Sequence, residues 1–301
     1  MFHGTMTALV TPFKNGKFNQ EIDEDAFRAH LDRQIEAGVD AVVPAGTTGE
    51  AATLSFSEHK YLIEITVQHV NGRIPVIAGT GSNNTAESIE LTQSAKDLGA
   101  DAALLISPYY VKPTQEGIYQ HYKAVAEAVH LPQIIYNVPG RTNSNIQPET
   151  VARLADIANI IGIKDATADM AQLTRTFMAC GDRMDFFSGD DATVLPFMQL
   201  GGAGVISVVS NIAPRTMRQL TEAMRNSNHE IARKAHFALQ DLTDALFVCA
   251  NPMPVKAACS LLGWMANELR LPLTPLADGK LDELRTVMLG FESDVETLEL
   301  T

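Results

Sequence analysis

Eight short apolar, β-branched runs recur along the chain, and helical periodicity fills most of the intervals between them. This alternation constrains the fold more than any other feature. The runs cover residues 5–11, 41–45, 75–79, 102–107, 133–137, 160–164, 186–189 and 204–208. Near-continuous apolar character suits strands covered on both faces, as in a parallel sheet. Helices are predicted over 23–37, 57–70, 86–98, 115–129 and 148–156. Ser55 or Ser57 ahead of Glu58 and Pro148 in a first turn supply start signals. Gly38, Gly72 and Gly99 stand where a left-handed residue ends a helix. Eight β-then-α units in roughly 220 residues predict a closed (β/α)₈ barrel. An open doubly wound sheet fits less well, because no Gly-x-Gly-x-x-Gly follows the first run. The spacing shortens at the end, with only residues 191–200 between the last two runs.

Past residue 225 the strand signal stops. Ile231, Ala235, Leu239, Leu242 and Leu246 fall on one helical face, as do Leu281, Leu284, Met288 and Phe291. The Pro-rich stretch 270–276 separates these helices. The expected organisation is therefore a barrel over residues 1–225 and a small C-terminal helical domain over 226–301. No internal repeat is visible.

Charge and cysteine usage narrow the function classes. With 23 Lys plus Arg against 36 Asp plus Glu, the net charge is −13. That balance argues against nucleic-acid and anionic-membrane partners, which need a basic face. Cys180, Cys249 and Cys259 are odd in number and form no Cys-x-x-Cys pair. They read as buried thiols of a reducing compartment. The N-terminal residues carry no basic segment followed by an apolar stretch, and no run approaches the ~20 apolar residues that cross a bilayer. A soluble cytoplasmic protein is expected.

A barrel enzyme builds its site at the C-terminal ends of its strands, so polar residues there carry the most weight. Lys164 closes the sixth run, in Ile160-Ile-Gly-Ile-Lys-Asp-Ala-Thr167. An ammonium in that position faces desolvation, which favours the neutral amine. A neutral amine attacks a ketone and forms an imine whose cationic form draws electrons from the adjacent carbon. The bland alternatives are a lysine that reaches the surface or one paired with Asp165. Gly46-Thr-Thr-Gly-Glu50 follows the second run, where Thr47 and Thr48 offer hydroxyls and N–H groups to a carboxylate, or simply cap a turn. Tyr109 and Tyr110 follow the fourth run, and Tyr136 ends near the close of the fifth. Phenols there can relay protons or merely pack. Arg141 on the next loop can hold a carboxylate through two parallel hydrogen bonds, or stay solvated. The eight histidines form no His-x-His or His-Glu-x-x-His pattern, which disfavours a metal-dependent hydrolase or aldolase. Ser188-Gly-Asp-Asp191 would repel a phosphate, so the expected substrate is a carboxylate without one.

Taken together, Ala8-Leu-Val-Thr-Pro12, Gly46-Thr-Thr-Gly-Glu50, Tyr136-Asn-Val-Pro-Gly-Arg-Thr142 and Gly162-Ile-Lys-Asp-Ala-Thr167 resemble the dihydrodipicolinate synthase and N-acetylneuraminate lyase superfamily of pyruvate-dependent Schiff-base barrels. The likeness extends over essentially the whole chain. The arginine-bearing motif is similar to the dihydrodipicolinate synthase branch, since sialic-acid lyases usually lack that arginine. The resemblance implies a lyase of lysine and diaminopimelate biosynthesis, condensing pyruvate with aspartate semialdehyde to 4-hydroxy-tetrahydrodipicolinate. No cofactor is implied beyond the covalent imine on Lys164. Thr48 would hold the pyruvate carboxylate. Tyr136 would be the central acid-base group, linked through Thr47 to Tyr110 of a neighbouring subunit. Arg141 would bind the semialdehyde carboxylate, and Gly189 and Ile206 would line the pyruvate pocket. A homotetramer built as a dimer of dimers is implied as well.

The resemblance also implies a lysine-inhibitor site with Ala52, His59, Asn83, Glu87 and Tyr109. Departures at Ala51 (often Ser) and Phe56 (often His) would weaken the inhibition. Two alternatives stand beside this reading. One is a related aldolase acting on a 2-keto-3-deoxy sugar acid or on N-acetylneuraminate, against which Arg141 argues. The other is a non-catalytic barrel acting as a scaffold, which has no need of an amine facing a cavity.

Overall fold

The computed structural model describes residues 2–16 and 20–301. Strands β1 (Gly4–Ala8), β2 (Ala41–Val43), β3 (Ile77–Gly79), β4 (Ala102–Ile106), β5 (Gln133–Asn137), β6 (Ile160–Asp165), β7 (Asp185–Ser188) and β8 (Gly204–Ser207) match the eight apolar runs in order. They pair in parallel as β2-β1-β8-β7-β6-β5-β4-β3. The two ends of that order meet at a parallel bridge between Val42 and Val76, where the Val42 N–H donates to the Pro75 carbonyl at 3.1 Å. The sheet therefore closes into the expected (β/α)₈ barrel. The first strand is shorter than its apolar run because Val10 N–H leaves the ladder for the Asn211 side chain.

Side-chain alternation sorts the barrel residues. Met6, Ala8, Val43, Ile77, Leu104, Ile134, Tyr136, Phe187 and Ile206 form one cluster inside the barrel. Their odd-step neighbours, among them Val42, Ala78, Leu105, Ile135 and Ile163, pack outward against the helices. Lys164 lies two residues beyond Gly162 and directly beside Tyr136 in the β5–β6 register. It therefore shares Tyr136's inward direction.

The outer layer contains α1 (Glu24–Ala37), α2 (Phe56–Val70), α3 (Thr85–Asp97), α4 (Gln115–Ala128), the single turn α5 (Pro139–Thr142), α6 (Pro148–Leu154), α7 (Met170–Cys180), α8 (Val194–Gln199) and α9 (Pro214–Arg225). Ser55, not Ser57, caps α2, in a reciprocal capping box with Glu58. Beyond the barrel lie α10 (His229–Leu246), α11 (Met253–Leu261) and α12 (Asp278–Leu289). Their core is continuous with the outer layer: Met217, Leu220 and Met224 of α9 join Ala235, Leu239, Val255, Leu284 and Met288.

Two expectations need correction here. Ile231 does not belong to the buried face of α10; it is 37% exposed, and Ala232 is buried instead. Cys249 is half-buried, unlike Cys180 and Cys259, because it sits in the turn between α10 and α11. The helix α11 itself is not anticipated by the periodicity, since seven of its nine residues are buried and no polar stripe marks it. No helix among the described residues is long and apolar enough to cross a membrane.

Candidate active site

Lys164 is 5% exposed at the C-terminal end of β6. Its ammonium nitrogen lies 4.4 Å from the centroid of the Tyr136 ring. No carboxylate among the described residues lies within ion-pairing distance of that nitrogen, so neither the surface-reaching nor the Asp165-paired alternative applies. Asp165 turns instead to Thr167, accepting from its N–H at 2.9 Å and its hydroxyl at 2.6 Å. Burial pulls the Lys164 amine down to about 8; the Asp191 carboxylate resists that fall, and the Arg141 guanidinium reinforces it.

The groups around Lys164 are held by the same barrel ends. Tyr136 is buried on β5, and loss of solvent pushes its phenol up to about 12, with Arg141 opposing the rise. Asp191, after β7, is raised to about 6 by burial although it accepts from the Ser207 hydroxyl and the Val208 N–H. Gly189 is required by close approach. A Cβ built there would meet Lys164 Cε at 2.9 Å and Cγ at 3.0 Å, so glycine leaves the volume that the lysine stem occupies. Ile206 is fully buried in the same interior cluster as Tyr136.

Thr48 is buried, and its hydroxyl oxygen accepts from Asn251 Nδ2 at 2.9 Å. Arg141, exposed on α5, donates from Nη2 to the Asn251 carbonyl at 3.1 Å. Asn251 Oδ1 is buried without a partner among the described residues. Asn251 thus joins the two residues expected to hold carboxylates, at opposite sides of one turn. Sequence reasoning misses it because the contact to Thr48 spans 203 positions and comes from the helical segment. Its only local mark is the dipeptide Asn251-Pro252, which reads as an ordinary turn.

Other expected members are not joined to the lysine. Among the described residues no hydrogen bond links the Thr47 hydroxyl with Tyr136, and Thr47 is half-buried, with its carbonyl taken by Glu50 N–H. Tyr110 is 87% exposed and holds a left-handed φ of 72°. It stands out from the barrel end into solvent. In the expected inhibitor site, Asn83 Nδ2 donates to the Tyr109 carbonyl at 3.3 Å, and Glu87 accepts from the Ser82 hydroxyl at 2.7 Å. His59 is buried and bonds the Gly79 carbonyl at the end of β3. Ala52 is exposed and shares no bond with this group.

A buried amine with no ion pair among the described residues, beside a phenol, with Thr48 and Arg141 tied to one asparagine, is an arrangement that suits imine formation. Comparison with known proteins agrees. The model of the dihydrodipicolinate synthetase family matches residues 1–289. The 4-hydroxy-tetrahydrodipicolinate synthase of Citrifermentans bemidjiense is 54% identical over 292 residues, covering 97% of this chain and 99% of the relative. The chloride-inhibited dihydrodipicolinate synthase of Acinetobacter baumannii, solved with pyruvate, superposes with a TM-score of 0.93 at 45% identity, over 97% of this chain and 100% of that one. The enzyme of Cyanidioschyzon merolae, solved with lysine bound, gives a TM-score of 0.91 at 41% identity, over 96% and 97%. With an imine-forming geometry and relatives of this kind along its full length, the chain belongs to the dihydrodipicolinate synthetase family.

Proposed function

We propose that this chain condenses pyruvate with L-aspartate 4-semialdehyde to give 4-hydroxy-tetrahydrodipicolinate, through an imine on Lys164. The observation that carries the reading is the burial of Lys164 with no ion pair among the described residues. The names of the full-length relatives support the product, and the pyruvate complex of the Acinetobacter baumannii enzyme supports the first substrate.

The scheme assigns a group to each step. The neutral amine adds to the keto carbon of pyruvate, and Tyr136, protonated at neutral pH, gives a proton to the departing hydroxyl as water leaves. The cationic imine then lies against the phenolate and stabilises it. The phenolate removes a proton from the pyruvate methyl carbon to form the enamine. That carbon attacks the semialdehyde aldehyde, whose oxygen takes the proton back. The substrate amine finally attacks the imine carbon and displaces Lys164, closing the ring. One water is released per turnover. The lysine supplies the electron sink, so the scheme needs no metal or organic cofactor. Thr48 and Arg141 fix one carboxylate each, which orients the two reacting carbons. Gly189 and Ile206 shape the pyruvate end.

Tyr110, held out in solvent, serves the relay of a neighbouring subunit, with Thr47 as the connecting hydroxyl. The assembly is a homotetramer acting in the cytoplasm. L-lysine binds at Asn83, Glu87 and Tyr109 with His59 behind them, Glu87 taking the ligand's ammonium. Borohydride reduction with pyruvate should add one covalent adduct at Lys164, and Lys164→Ala should abolish both adduct and coupled turnover with the semialdehyde. An adduct elsewhere, or turnover that survives the substitution, refutes the scheme. For the regulator, an activity unchanged by millimolar lysine refutes that site.

A further inference from the structure

The segment after the barrel reaches the Gly46–Glu50 loop through more than Asn251. Glu50 ends that loop with a left-handed φ of 57° and a fully buried side chain. One carboxylate oxygen takes the ammonium of Lys256, from the first turns of α11, which is also fully buried. The other accepts the backbone N–H of Arg270 at 3.0 Å. The ring of Phe13 packs against both cations, its centroid 4.1 Å from the Lys256 nitrogen and 4.4 Å from the Arg270 guanidinium carbon. Arg270 continues to Glu58 and to the carbonyls of Gln20 and Thr53. On its other side the loop is held by the Thr11 hydroxyl, which donates to the Gly49 carbonyl at 2.7 Å.

We propose that Lys256 is a positioning residue for pyruvate: through Glu50 it fixes the loop that carries Thr47 and Thr48. Two charges withdrawn from water recover their desolvation only in part, and apolar replacement of such a pair is often neutral or stabilising. A staple whose sole use was to hold α11 on the barrel would be served as well by Leu and Met. A carboxylate gripped from both oxygens, by contrast, sets the loop's distance and rotation, two residues from the Thr48 hydroxyl. Asn251, five residues before Lys256 in the turn that precedes α11, reaches the same loop.

This inference rests on Thr48 as the pyruvate carboxylate site, and its test separates the two. The half-saturating pyruvate concentration for borohydride trapping is measured on the full chain, together with the KM for the semialdehyde. Lys256→Met should raise the pyruvate value at least about tenfold, within the ~10²-fold that an ångström of misplacement costs. The semialdehyde KM should change less than about threefold on the same scale. Lys256→Met also leaves a lone buried carboxylate and should melt lower. The double variant Glu50→Gln with Lys256→Met removes that charge; it should melt near the parent yet keep the raised pyruvate value. Wild-type pyruvate saturation in the double variant overturns the proposal, as does wild-type saturation in Lys256→Met assayed below its melting temperature. A parent protein that gains no pyruvate adduct would instead overturn the functional reading.

Discussion

Lys164 and Lys256 are two lysines in equally dry surroundings, at the end of β6 and the start of α11. Burial is the first cause in both cases, and both amines are pulled down to about 8. Their difference lies in what faces the nitrogen. Lys256 meets the Glu50 carboxylate and is locked; Lys164 meets the face of Tyr136 and has no ion pair among the described residues. Desolvation alone therefore does not make a reactive amine. On the proposed assignments, a buried lysine serves as a nucleophile where its partner is withheld and as a clamp where its partner is supplied.

The sharpest way to break this comparison is to make both residues arginine. A guanidinium stays charged and cannot form the imine. Lys164→Arg should lose pyruvate trapping and reduce turnover at least ~10³-fold, as removal of a nucleophile does. Lys256→Arg keeps the charge opposite Glu50 and should trap pyruvate at Lys164, at an overpacking cost of about 1–3 kcal/mol. Mass spectrometry of the reduced adduct and thermal melts check both. Trapping that survives Lys164→Arg would show the two lysines to be misassigned.

A second variant leaves both lysines intact and disturbs only the space of one. Gly189→Ala places a methyl 2.9 Å from Lys164 Cε and 2.8 Å from the Ala166 Cβ. The lysine stem must shift, and a displacement of about an ångström costs roughly 10²-fold in rate. The loss should appear in kcat for imine formation, while the environment of Lys256 keeps its melting behaviour. Stopped-flow trapping reads the first and calorimetry the second. An unchanged trapping rate would show that the stem is free to move.

The contrast between the two lysines also marks how far the amino-acid order could be read. The eight strands, and the places of Lys164, Tyr136 and Thr48 at or just after their C-terminal ends, are legible because barrel strands are local apolar runs. The run at 160–164 announces its own terminal lysine. Lys256 sits in Met253–Leu261, a helix with no polar stripe, and its partner lies 206 positions away. No periodicity connects those positions. Asn251 was hidden for the same reason, and the exposed Ile231 was misplaced because a helix's first turn can look apolar on either flank of its true face. Tyr110 was legible as a residue, but its outward direction depends on a left-handed backbone that an ordinary tyrosine seldom adopts.

The smallest expected effect concerns pH, and it distinguishes a free amine from a paired one. A lowered amine pKa means that the folded chain gives up the Lys164 proton at about 8 instead of the ordinary value of 10.5. At pH 7 roughly a tenth of the protein then holds the neutral nucleophile, against roughly one molecule in 3,000 for an unperturbed lysine. The initial rate of pyruvate trapping should rise about tenfold per pH unit below 8 and level off above it. The sign is fixed by burial: the charged form is the one disfavoured, so activity is lost on acidification. Lys256 is also pulled down to about 8, but it is ion-paired with Glu50 and takes no part in the bond being formed, so the double variant Glu50→Gln with Lys256→Met should show the same midpoint. A trapping midpoint near 10 would remove the difference between Lys164 and an ordinary surface lysine. A midpoint that moves with the double variant would mean that the two amines titrate as one system.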